Sequence, residues 1–86
     1  MIGRAIEICT ASYSEARERT VGQKLTRAMI DSGVHRTLAA LEREGFDVKD
    51  KDIQDGSFLI LLAEWPEAVA AMEDPAFEDE PLGEPS

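Results

Sequence analysis

Gly56-Ser57-Phe58-Leu59-Ile60-Leu61-Leu62-Ala63-Glu64-Trp65-Pro66 is the stretch on which the fold turns. Its centre, Phe58 to Leu62, is an unbroken apolar run closed by Gly56 on one side and Pro66 on the other. A run this short suits a buried central strand, although periodicity alone does not separate it from a helix. Read as a strand, it makes the protein α+β. Pro66 then pushes Trp65 into an extended conformation and is itself tolerated at the first position of a helix. Residues 66–73 therefore read as a short helix with Val69 and Met72 inward.

Upstream, residues 46–56 alternate apolar groups or aliphatic stems with carboxylates and close on Asp55-Gly56, a turn dipeptide. Residues 4–9 place Ile6 and Ile8 on one side and Glu7 on the other, the period of a half-buried strand. Ser12 followed by Glu15 forms a capping-box pattern, so a helix is expected to begin near Tyr13. Its apolar stripe is Ala16, Val21, Leu25, Ala28 and Met29, running through Gly22 at a cost of about 1 kcal/mol. Ser32-Gly33 reads as a turn, followed by a second helix over 34–44 with Val34, Leu38 and Leu41 inward and Gly45 as its stop. A single bent helix is the alternative for this region.

The expected architecture is a two- or three-stranded sheet with two to three helices. Its core is Ile6, Ile8, Leu25, Met29, Leu38, Leu41, Phe58, Ile60, Leu62, Val69 and Met72, with Trp65 at the margin. Residues 1–73 form one compact domain. Residues 74–86, with three prolines and a run of acids, form a mobile acidic tail in which only Phe77 and Leu82 offer anchors. Exposed strand edges make a homodimer plausible.

Several chemistries are disfavoured by what the 86 residues hold. Cys9 and His35 are each the only residue of their kind, too few for a zinc site, and no oxyanion-forming partner marks Cys9 as a nucleophile. Asp50, Asp52 and Asp55 resemble a calcium loop, but the twelfth position from Asp50 is Leu61, where a bidentate Glu is required. The glycine spacings match no phosphate-binding loop. Helix, Ser-Gly turn, helix over 20–44 invites comparison with DNA-binding units, yet Arg36 and Arg43 are too few bases for a recognition helix. No catalytic residue, metal or cofactor is expected. A single cysteine and the lack of a long apolar segment point to a cytoplasmic protein without a membrane partner.

Charge is the feature that points to a partner. The chain nets -9. Up to Arg43, seven bases face five acids; from Glu44 onward, thirteen acids face Lys49 and Lys51 alone. The acids expected to meet a basic partner are Asp47, Asp50, Asp52, Asp55, Glu64, Glu67, Glu73 and Asp74, joined by Glu78, Asp79 and Glu80. On an extended segment Asp50 and Asp52 would stand about 6.6 Å apart on one face, much as charges repeat along a nucleic-acid backbone.

In size, solitary cysteine and concentrated acidity, carried by the carboxylates at 47–55 and 73–80, the chain resembles the small acidic anti-CRISPR proteins of phages and mobile elements. That resemblance implies a non-enzymatic inhibitor acting by nucleic-acid mimicry on a basic nucleic-acid-binding protein or complex, with no direct contact to nucleic acid. Antitoxins and antirepressors share the profile. A subunit that packs on a larger protein through apolar surface is the alternative from another class.

Overall fold

A computed structural model of the chain describes residues 2–74, and among these the architecture is all helical. Four helices follow one another: α1 Gly3–Arg19, α2 Arg27–Arg43, α3 Lys51–Glu64 and α4 Pro66–Glu73. No strand occurs among the described residues, so the expected α+β fold, its sheet and the edge pairing that suggested a homodimer are all corrected.

The first correction falls on residues 4–9, which belong to α1. Ala5, Cys9 and Tyr13 repeat every four residues and are buried. Ile8, Ser12 and Ala16 complete the same stripe, half-buried. Ile6, half of the alternation that suggested a strand, points outward. Ser12 is therefore a mid-helix residue rather than a cap.

α1 ends where the Thr20 hydroxyl donates back to the Ala16 carbonyl and Gly22 takes a positive φ of 80°. That conformation is open to glycine at little steric cost. The expected helix through Gly22 is thus broken there, and α2 restarts with Thr26, whose hydroxyl accepts the Met29 N–H at 3.2 Å.

Gly33 is not a turn. It lies inside α2 on the buried face formed by Ile30, Gly33, Thr37 and Leu41, so the expected two-helix unit over 20–44 is one continuous helix from Arg27. The end of α2 agrees with the sequence. Gly45 has φ of 98°, its N–H bonds to the Glu42 carbonyl, and the Phe46 N–H reaches the Leu41 carbonyl. This is a Schellman closure, in which a left-handed glycine lets the last carbonyls be satisfied.

Asp50 caps α3 by accepting the Asp52 N–H at 2.8 Å. From there Ile53, Ser57 and Leu61 fall on the buried face at four-residue spacing. The expected Asp55-Gly56 turn is interior to this helix. The run from Phe58 to Leu62 is apolar around the whole helix, so it straddles both faces: Leu61 is buried while Phe58, Leu59 and Leu62 are exposed. Trp65 closes α3, and Pro66 opens α4 as expected.

α1 is central. It packs closely on both α2 and α3, while the backbones of α2 and α3 stay apart; α4 packs on α3. Ser12 meets Thr37, Arg4 meets Glu44 and Ala16 lies near Gly33, so α1 and α2 run antiparallel. Tyr13 meets Ser57 within α3, and Trp65, which closes α3, borders Gly33 together with Ala16 from the end of α1, so α1 and α3 run parallel.

Two pairs of hydroxyls tie the three helices within the core. Ser12 and Thr37 oxygens lie 2.6 Å apart, with Thr37 also donating to the Gly33 carbonyl, and the Tyr13 and Ser57 oxygens lie 3.1 Å apart. Satisfied buried polar groups of this kind fix which residues may face one another. Trp65, expected at the margin, is instead fully buried, at the joint of α3 and α4 against Gly33. Of the expected core, Leu25 and Leu41 are buried, and Ile8, Met29, Leu38 and Ile60 pack against it partly covered. Val69 is half-buried, whereas Ile6, Phe58, Leu62 and Met72 are exposed.

Candidate protein-interaction surface

The carboxylates expected to act together fall into two groups at opposite ends of α3. Asp47 and Asp50 lie in the connector before it, and Asp52 and Asp55 in its first turns. Glu64 closes α3, Glu67 lies in the first turn of α4, and Glu73 and Asp74 end α4. At roughly 1.5 Å of rise per residue, Asp52 and Glu64 are separated by about 18 Å along the helix. The extended spacing expected for Asp50 and Asp52 is replaced by a helix start. Glu78, Asp79 and Glu80, with Phe77 and Leu82, lie outside the described residues.

Several of these acids have local duties. The Asp47 carboxylate accepts the Lys49 N–H at 3.0 Å, and Asp50 is the α3 cap. Asp55 pairs with Lys51 at 3.3 Å and Glu67 with Arg17 at 3.2 Å, both pairs exposed. Exposed pairs contribute about 0–1 kcal/mol each, so these carboxylates stay available to a competing base.

Between the two groups along α3 lies apolar surface, of which Phe58 and Leu62 are expected in the core from the sequence. Phe58 is 52 % exposed, Leu59 64 % and Leu62 37 %. Together they present roughly 300 Å², the size at which a patch on a monomer is often functional. Only the helical register reveals it, because Phe58, Leu59 and Leu62 cannot share a face with Ile53, Ser57 and Leu61. Beside this patch the gap between α2 and α3 forms a groove of about 240 Å³, with Val34 and Leu38 on one wall and Phe58 on the other.

Cys9 is buried, and burial pushes its thiol up, opposed by a weaker hydrogen bond from Ser57. His35 is exposed on α2. Among the described residues no three of the His, Cys, Asp and Glu side chains are placed to share a metal ion. A concavity of about 300 Å³ between the end of α1 and the start of α2 is lined by small residues such as Ala16, Ala28 and Ser32, with Arg36 beside it. A larger furrow on the outer side of α1 and α2 carries Arg4, Arg36 and Arg43 together with Glu7 and Glu15. Arg4 is engaged there by Glu44 and Glu7, which raise its pKa. Among the described residues no helix is long and apolar enough to cross a membrane.

No family model, curated protein or solved structure matches the chain.

Proposed function

We propose that this protein is a non-enzymatic inhibitor that occupies a basic nucleic-acid-binding surface of another protein, and that α3 presents the contact face. The observation that carries this reading is the outer face of α3, where the carboxylates of Asp52 and Asp55 lead into exposed Phe58, Leu59 and Leu62; Glu64, three residues past buried Leu61, falls on the other side of the helix, and Glu67 turns to Arg17 of α1. Clefts for single-stranded nucleic acid combine Arg and Lys for phosphates with apolar or aromatic platforms for bases. A face that is acidic at one end and apolar beyond it offers each of those features its counterpart.

The two acidic groups are farther apart than the Debye length of about 8 Å at physiological salt, so each must meet its own bases. Charge sets the approach and the choice of partner, while the apolar centre carries most of the affinity.

The test is capture of the partner by the immobilised full chain from a nuclease-treated lysate of the source cells, followed by elution with salt and with a single-stranded oligonucleotide. Oligonucleotide should release the partner. The Asp47→Asn, Asp50→Asn, Asp52→Asn, Asp55→Asn variant, in which Asn preserves the cap at Asp50, should capture much less. Undiminished capture by that variant, with binding insensitive to salt and lost in Phe58→Ser, Leu62→Ser, would replace this reading with that of an assembly subunit held by apolar contact alone.

A further inference from the structure

We infer that the groove between α2 and α3 seats a basic amphipathic helix of the partner, an inference that rests on the function proposed above and adds the element the partner contributes. Three helices of a bundle are present around this groove and the fourth position is open. α1 supplies the floor, since Tyr13 lies beneath α2 and α3 and is buried, while the two outer helices keep their backbones apart.

Val34 and Leu38 are one helical turn apart on the α2 wall, and on the α3 side Phe58 forms the wall above buried Leu61. Phe58 and Leu62, again one turn apart, extend the α3 wall outward. At about 240 Å³ the groove is below the roughly 300–1,000 Å³ of small-molecule sites. It suits instead the side chains of an apolar stripe repeating at i, i+3, i+4 and i+7, as in helix-in-groove recognition.

The rim sets the sign of the guest. On α2, Asp31 precedes Val34 by three residues and Glu42 follows Leu38 by four, which places both carboxylates beside the groove-lining pair. On α3, Asp55 precedes Phe58 by three. The bases near these faces are Arg27 at the start of α2 and Lys51, which is paired with Asp55. Such a rim favours Lys and Arg flanking an apolar stripe. It disfavours a second copy of this chain, with its net charge of -9, and the chain's own residues 75–86, which hold four acids and no Lys or Arg.

The experiment uses a fluorescein-labelled Leu/Lys peptide of about 18 residues, five helical turns, with leucines at i, i+3, i+4 and i+7. Its control is an isomer of the same composition in scrambled order. Fluorescence anisotropy with the full chain should show the patterned peptide binding about tenfold or more tighter than the scrambled one. Phe58→Asp should erase that difference, whereas Val21→Asp, a change in the α1–α2 connector, should leave it intact. If Phe58→Asp loses its helical circular dichroism, Val34→Asp, on the opposite wall, takes its place.

Equal binding of the two peptides would overturn the groove while leaving the charge-based function standing, since that is tested by oligonucleotide release. Failure of the patterned peptide to bind would also overturn it. A rise in peptide affinity in Phe77→Ser, Leu82→Ser would assign the groove to the chain's own end, and a dimer in sedimentation that Phe58→Asp dissolves would assign it to a second copy. Both results refute the inference.

Discussion

Replacing Gly33 by Ala tests how α2 and the α3–α4 junction meet. A Cβ at position 33 would stand 2.7 Å from Trp65 Cζ3, 3.3 Å from Cη2 and 3.4 Å from the Ala16 Cβ. The shortest of these is an overlap with a fully buried ring, so backbone or ring must move. Overpacking of this kind costs about 1–3 kcal/mol. Against it stands a gain of about 1 kcal/mol, because alanine is the better helix former in the interior of α2. Gly33→Ala should therefore destabilise by about 0–2 kcal/mol in the native sequence. In a Trp65→Phe background the shorter ring vacates the contested space and only the propensity gain is left, so the same change should stabilise by about 1 kcal/mol. The coupling of about 1–3 kcal/mol lies within the range for residues in contact. Urea unfolding of the four chains of this cycle, followed by far-UV circular dichroism, measures it. An equal effect in both backgrounds, or stabilisation in the native one, would show that the ring does not hold α2 at Gly33.

The buried hydroxyl pair offers a second cycle. Ser57→Ala and Tyr13→Phe each leave a buried hydroxyl short of a partner at a cost of about 1–3 kcal/mol, so the double variant should lose less than the sum; additive losses in urea unfolding would refute the pairing. Burial holds the Tyr13 phenol above its ordinary pKa of 10.0, with the hydrogen bond to Ser57 opposing. The unfolded chain then releases this proton first, so the associated stability is complete below pH 10.0 and is lost as pH rises through the folded value. The urea midpoint should fall above that pH, and Tyr13→Phe should fall less steeply; the buried Cys9 thiol, also raised, adds a fall of the same sign that begins above its ordinary value of 9.0.

Part of this molecule was readable from its residues. Pro66 at the start of α4, Gly45 at the end of α2 and the burial of Leu25 and Leu41 each follow from local chemistry. The two expected strands are helical for two distinct reasons. Ile6 and Ile8 alternate by chance across a helix whose buried stripe is built from Ala5, Cys9, Ser12, Tyr13 and Ala16, residues too small or too polar to stand out by hydropathy. Phe58 to Leu62 is apolar on every side because one side is buried and another is bare, a distinction composition does not carry. Gly22 and Gly33 exchange the roles their local sequence suggests, since Gly22 breaks the helix and Gly33 continues it. Only the Trp65 ring, 32 positions away in sequence, explains Gly33. For the interaction surface the acids were legible individually, but their division between the ends of α3 and the apolar surface separating them required the helical register.

Trp65 is the chain's single tryptophan, and it sits, sealed from water, beside α1 and α2 at the joint between α3 and α4. Its fluorescence is consequently a reporter of the whole assembly from one indole, with no label required. Emission will be that of an apolar surround while the helices hold together, and any guest that levers α2 from α3 deeply enough to wet the ring will declare itself by a shift to the red.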